Sequence, residues 1–186
     1  MDSIKPDAAG QLTKLEQIDW TTWVPTERAT LLFVVQTQRV LLIRKKRGLG
    51  EGKINAPGGR LEPGETPHAC AVREVQEELR IDVLDARYSG ELNFQFTNGY
   101  GLHVTIFRAS DFLGLPTETD EAKPLWYDLD AIPFDEMWAD DILWIPALLA
   151  GQPFFGRFLF DDDVMLGSWL AKDAEFKQDL TSLVTT

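Results

Sequence analysis

The chain has 186 residues, 44% of them hydrophobic, and 30 acidic against 18 basic side chains give a net charge of −12. That balance supports a substantial core and excludes a disordered chain, while so acidic a surface excludes nonspecific grip on a nucleic-acid polymer, which needs a basic patch. One cysteine, Cys70, excludes an internal disulfide, and neither a membrane-length apolar run nor the apolar core of a signal peptide is present, so a soluble, monomeric, cytoplasmic protein is expected.

Residues 1–28 read as an N-terminal extension. Leu12, Leu15 and Ile18 recur at helical spacing, and Trp20 and Trp23 follow before Pro25. The tryptophans imply that this arm packs on something, either the domain's own surface or a partner. Residues 29–35 and 39–44 are rich in Val, Ile and Leu across a short polar turn and predict a hairpin. Glycines then punctuate a long loop, and residues 66–79 predict a helix, with Thr66 as N-cap, Pro67 at the first helical position, and an apolar stripe of Ala69, Val72, Val75 and Leu79. Strands are expected at 86–96 and 102–110 around the turn Thr97-Asn98-Gly99, then a short strand at 125–129 and a helix at 140–149. A last hairpin, 154–160 with 164–170, crosses Asp161-Asp162-Asp163, and a loose helix over 174–184 occupies the tail. The expected organisation is an extension (1–28), one α/β sandwich domain with a mixed sheet (29–172) and a tail (173–186).

Glu74, Glu77 and Glu78 crowd the end of the predicted central helix, although like charges at helical spacing repel. At about 100° per residue the three fall within roughly one 100° sector, away from the apolar stripe. A solvated acidic face is one reading. The other is a set of hard oxygen ligands for Mg²⁺ or Mn²⁺, which would relieve the repulsion and let an acidic protein hold a polyphosphate. The wider spacing favours the second. Gly59, five residues, Glu65, seven residues, then Arg73-Glu74-Val75-Gln76-Glu77-Glu78, with Ile81 beyond, follows the Nudix box, Gly-x5-Glu-x7-Arg-Glu-apolar-x-Glu-Glu-x-Gly-apolar. One specified position departs from it: Arg80 stands where the box has Gly. A non-Gly residue in the left-handed turn that this position takes costs about 1 kcal/mol, unless the helix ends differently.

From about residue 30 to 170 the chain resembles the MutT-type purine nucleoside triphosphatases of the Nudix superfamily, through QRVLLIRKKRGLGEGKINAPGG, TDEAKPLWYDLDAIPFDEMWADDILW and FFGRFLF. The resemblance implies a Nudix α/β/α sandwich with a loop-helix-loop motif. It also implies Mg²⁺-dependent attack of water on the phosphate chain of an oxidised purine nucleoside triphosphate, such as 8-oxo-dGTP or 2-hydroxy-dATP, to release pyrophosphate. On this resemblance Glu74, Glu77, Glu78 and the Gly59 carbonyl are metal ligands, Arg73 orients the carboxylates, Glu121 approaches the metal from outside the box, and the general base is Glu78 or Glu74. Another nucleoside diphosphate derivative as substrate, or a catalytically silent nucleotide-binding module, are the alternatives.

The same resemblance implies a base pocket. Asn55, Asp140 and Asp141 match base-reading positions, Phe94 and Trp138 match stacking aromatics, and Lys45 matches a pocket-lining lysine; Trp144 lies nearby, and Leu49 stands where the relatives have Phe. Asn carries both a donor and an acceptor for a purine edge, and two adjacent carboxylates can hold one proton between them. Each residue also has a plainer reading. Asp140 and Asp141 could cap the following helix, Phe94, Trp138 and Trp144 could be core, Asn55 a turn residue, and Lys45 a surface charge. His68, His103 and Cys70 carry no sign of catalysis.

Overall fold

The computed structural model describes residues 12–172; the helix expected at 174–184 lies outside them. The central strands explain the layering. In β1 (Glu27–Val35) and β2 (Arg39–Lys45), alternate side chains enter two different cores. Phe33, Val35, Val40 and Leu42 face one, and Leu32, Val34, Leu41 and Ile43 face the other. Buried on both faces, such strands read as unbroken apolar runs.

The first core is closed by α2 (Asp141–Leu149) through Trp144, Ile145 and Leu148. The second is closed by α1 (Pro67–Leu79) through Ala71, Val75 and Leu79. The eight-stranded mixed sheet runs β10 (Val164–Lys172), β9 (Phe154–Asp161), β5 (Arg87–Phe96), β6 (Gly101–Ala109), β1, β2, with β3 (Ile54–Asn55) and β8 (Ala122–Asp128) both paired to β2. β1 and β6 are parallel, as are β5 and β9. A minor pair, β4 (Asp82–Val83) with β7 (Phe112–Leu113), flanks α1. The sequence pattern did not reveal β3, β4 or β7, because two residues carry no periodicity.

β1 and β2 pair only at Val34 with Leu41 and Val35 with Val40, then diverge. The loop after β3 fills the gap. Leu32 N donates to Pro57 O (3.0 Å), Thr30 N to Gly59 O (2.9 Å) and Leu61 N to Arg28 O (3.0 Å). Gly58 makes this approach possible: a Cβ there would stand 2.0 Å from the Thr30 carbonyl oxygen. The loop that precedes α1 is thereby fixed to the middle of the sheet.

One expectation changes, and one open alternative is decided. The pattern at 12–18 makes only a single 3₁₀ turn, Leu15–Gln17. Its apolar residues are spent on tertiary contact instead: Leu12, Leu15 and Ile18 bury against Leu159, with Trp20 and Trp23 packed alongside. Within the described residues the arm therefore lies on the domain's own sheet. At the end of α1, Arg80 adopts the left-handed conformation itself (φ 60°, ψ 33°), and its N–H reaches Gln76 O. The helix keeps the ending that Gly would favour and absorbs the strain.

Candidate active site

α1 begins as expected: Thr66 Oγ1 accepts from Ala69 N at 3.2 Å, and Pro67 opens the first turn. Its polar face holds Arg73, whose guanidinium gathers acids from the loop and the helix. Nε and Nη2 donate to the two Glu65 oxygens (2.8 and 2.9 Å), Nη1 to Glu74 Oε1 (2.8 Å) and Glu77 Oε2 (3.0 Å), and Nη2 also to Arg60 O (3.2 Å). The fork holds Glu65 down to about 2. Glu65 Oε2 also accepts from Glu62 N, so it braces the loop.

Glu78 is 1% exposed. Its Oε2 accepts from Gly58 N at 2.9 Å, and Lys45 Nζ stands 3.5 Å from Oε1. Burial outweighs both and raises its pKa to about 7. Glu74 is raised in the same direction, also chiefly by burial. A Cβ at Gly59 would stand 2.3 Å from Glu74 Oε1, so a side chain there would displace that carboxylate. Glu77 differs: about half exposed, it turns outward to Arg73. Among the described residues no three acids, histidines or cysteines already stand in a metal-holding arrangement. The donor chemistry nevertheless fits a hard divalent cation. Glu74 and Glu78 are oxygen donors with desolvated charge that their cationic neighbours do not fully offset, which is what such an ion would supply.

At the other end, Asp140 and Asp141 are nearly fully buried. Asp140 occupies the N-cap position of α2 but makes no side-chain cap bond. Its Oδ2 accepts from Trp144 Nε1 (2.8 Å), and its buried Oδ1 has no hydrogen-bond partner among the described residues. Asp141 Oδ2 accepts from Trp138 N (3.0 Å). Burial pushes both carboxyls up, and each opposes the other's charge. Both shifts favour the protonated form, in which a carboxyl becomes a hydrogen-bond donor. Trp144 is core, stacked on Phe154 and edge-on to Phe33, and it serves the site through its N–H. Phe94 stacks on Phe158 with centroids 5.3 Å apart, and Trp138 meets Phe160 edge-on at 5.7 Å. Asn55 lines the cavity, and its Oδ1 accepts from Ala56 N at 2.8 Å.

One cavity of about 500 Å³ joins the two ends. Of the residues singled out from the sequence, Lys45, Leu49, Asn55, Gly59, Arg73, Glu74, Glu78, Phe94, Glu121, Trp138, Asp140, Asp141 and Trp144 line it, while Glu77 does not. Sequence reasoning missed Arg47, Tyr100 and Phe160 in the lining. Arg47 pairs with Glu121, and its place in the Lys-Lys-Arg run was the available signal. Cys70 is buried, receives the Thr30 hydroxyl at 3.3 Å, and has its thiol raised to about 11 by burial, so it is no nucleophile. His103 lies on β6 beside Asn93, outside the cavity.

Residues 25–148 match the NUDIX domain family model. The chain is 48% identical over 132 residues to the oxidized purine nucleoside triphosphate hydrolase of Danio rerio, covering 70% of this chain and 85% of that protein. With the Mus musculus protein of the same name the identity is 41% over 147 residues, 78% of this chain and 94% of the other. Among solved structures, the mutator MutT protein of Bacillus halodurans matches with a TM-score of 0.70 and 28% identity, over 77% of this chain and 97% of that one.

Proposed function

The chain belongs to the Nudix hydrolase family, and from that premise we propose that it hydrolyses oxidised purine nucleoside triphosphates, 8-oxo-dGTP and 2-hydroxy-dATP among them, to the monophosphate and pyrophosphate, thereby sanitising the nucleotide pool. The observation that carries this reading is the continuity of the cavity. It runs from the Arg73–Glu74–Glu78 cluster to the Asn55–Asp140–Asp141 pocket, so one ligand can reach both with its phosphates and its base.

Nudix hydrolases need a divalent metal, and here the proposed ion is Mg²⁺, with Mn²⁺ as an alternative. Glu74, Glu78 and the Gly59 carbonyl would hold it, with Glu77 and Glu121 joining. The chemistry the bound ion supplies is charge neutralisation on the phosphates and a lowered pKa of water. Arg73 holds the carboxylates in place by charged hydrogen bonds. The general base is drawn from Glu74 and Glu78, both made more basic by burial, Glu78 to about 7. At the other end Phe94 and Trp138 stack on the purine. Asn55 and whichever of Asp140 and Asp141 is protonated donate to its edge, while the ionised partner accepts. Leu49, 45% exposed, leaves that wall less aromatic than Phe would.

Among the described residues no helix is long and apolar enough to cross a membrane. Action as a cytoplasmic monomer on a free nucleotide is part of the same proposal, supported by the acidic surface and the reduced, buried Cys70. The test is initial-rate pyrophosphate release with Mg²⁺ on 8-oxo-dGTP, 2-hydroxy-dATP, dGTP and dATP at equal low concentration. Rates at least about tenfold higher for the oxidised bases, or about 1.4 kcal/mol of discrimination, are expected. Equal rates on dGTP and 8-oxo-dGTP would move the assignment to another nucleotide, and tight binding without product would make the chain a silent module.

A further inference from the structure

Lys53 lies outside the cavity lining yet touches the base end of the site at several points. It follows the glycine-rich turn after β2 and immediately precedes β3, so its backbone is fixed: Lys53 N donates to Gly50 O (3.0 Å), and Lys53 O accepts from Lys45 N (3.0 Å). Its side chain is only 24% exposed, unusual for a lysine. The ammonium stands 4.9 Å from the centroid of the Trp138 ring, and the other side of the ammonium meets Asp163 Oδ2 at 3.0 Å, in the turn between β9 and β10. The same turn stays in place through Thr97 Oγ1 and Asp161 Oδ1 (2.5 Å), which ties it to the end of β5. Trp138 is held from further directions by the edge contact with Phe160 and by the backbone at Gly50, where a Cβ would stand 3.0 Å from Nε1. Its own N–H donates to Asp141.

We propose that Lys53, anchored by Asp163, is a specificity-determining positioning residue: it fixes the Trp138 indole as one wall of the base pocket and sets its positive charge toward the buried Asp140–Asp141 pair. The proposal rests on the oxidised-purine reading above. A cation on an indole face is attracted by the ring quadrupole and restricts where the ring can go, and a wall that cannot move discriminates between bases that differ by one oxygen. The charged groups facing Asp141 are Asp140, which raises its pKa, and Lys53, which lowers it. Asp163 partly offsets Lys53; elsewhere around the cavity, Lys45 is matched with Glu78 and Arg47 with Glu121. Lys53 therefore moves the balance between the protonated and ionised forms of the pair, and with it which purine edge the pocket matches.

The test compares the wild type with Lys53→Met, Lys53→Arg and Asp163→Asn. It measures kcat and KM for 8-oxo-dGTP, 2-hydroxy-dATP and dGTP from pH 6 to 9, and the binding of 8-oxo-dGMP without metal by tryptophan fluorescence. For Lys53→Met we expect KM for the oxidised purines to rise about tenfold with kcat within about twofold. The preference between the two oxidised bases should change, 8-oxo-dGMP binding should weaken in parallel, and the pH midpoint of KM should move upward by about half a unit, because loss of a cation favours the protonated acid. Lys53→Arg should restore most of this, and Asp163→Asn should give a smaller change of the same kind. A selective wild type whose Lys53→Met variant keeps its KM, midpoint and base preference overturns the proposal, as does an equal loss on all three nucleotides that follows a lowered melting temperature. A wild type indifferent to base oxidation overturns the substrate reading instead.

Discussion

At the carboxylate end of the cavity, Gly59, Glu65, Arg73, Glu74 and Glu78 come from one short stretch of chain, a loop and the helix that follows it. At the base end, Asn55 comes from β3, Phe94 from β5, Trp138 from the segment before α2, and Asp140 and Asp141 from its start. The first end is local. Helical spacing sets which acids share a face, and the hydrogen bonds from Arg73 and Gly58 do the rest. The second end exists only through the sheet: Phe94 meets Phe158 because β5 and β9 run parallel in the register that pairs those residues. A local motif tolerates change elsewhere in the molecule, whereas an assembled pocket depends on every element that brings a wall to it.

Three substitutions test that contrast, from the largest expected effect to the smallest. Glu78→Gln at the carboxylate end should lower kcat by about a thousandfold or more, equally for every nucleotide, or about 4 kcal/mol in activation free energy. The circular dichroism spectrum should not change, since the amide oxygen can still accept from Gly58 N. Unchanged turnover would remove Glu78 from the chemistry and with it the local half of the contrast.

Asp140→Asn addresses the base end through stability. Burial raises the Asp140 carboxyl above its ordinary 3.8 to about 6, so the folded protein binds more protons than the unfolded chain across that window. Its contribution to stability is present at low pH and is lost as pH rises from about 4 to about 6. His103 works in the opposite sense. Burial lowers it from 6.5 to about 4, so its contribution is present above about 6.5 and is lost as pH falls toward 4. In the wild type the two partly cancel. Asp140→Asn removes that carboxyl's contribution while Asp141, Glu78 and His103 keep theirs, so relative to the wild type the unfolding free energy from urea titrations should gain on the order of 2 kcal/mol between pH 4 and 6. Parallel profiles for the two proteins would show that the Asp140 carboxyl is not held protonated by burial.

Arg80→Gly should be the smallest effect. Arg80 holds a left-handed conformation at the end of α1 with φ 60°, and Gly relieves a strain of about 1 kcal/mol. The melting temperature should rise by a few degrees with kcat unchanged, since Arg80 is exposed and lines no part of the cavity. A loss of activity would mean that the departure from the box carries a function that the strain maintains.

Much of this was legible before any coordinates. The hairpin of β1 and β2, the N-cap at Thr66 and the carboxylate face of α1 follow from residue order, because strand and helix periodicities act over a few residues. Other features were not. Nothing in the spacing of Glu74, Glu77 and Glu78 says that Glu78 is buried under Gly58 while Glu77 turns outward to Arg73. Nothing in the pattern at 12–18 says that burial against Leu159 would leave only a 3₁₀ turn where a helix was expected.

By itself, then, the sequence determined the family, the strand and helix pattern and the set of acids available for chemistry, because those depend on interactions between near neighbours. The tertiary structure alone decided three things: that the β3–α1 loop fills the gap between β1 and β2, that Asp140 and Asp141 are desolvated together, and that Lys53 reaches from one loop to Trp138 and Asp163. Burial and long-range contact are properties of the packed whole, and no residue carries them before the sheet has closed around it.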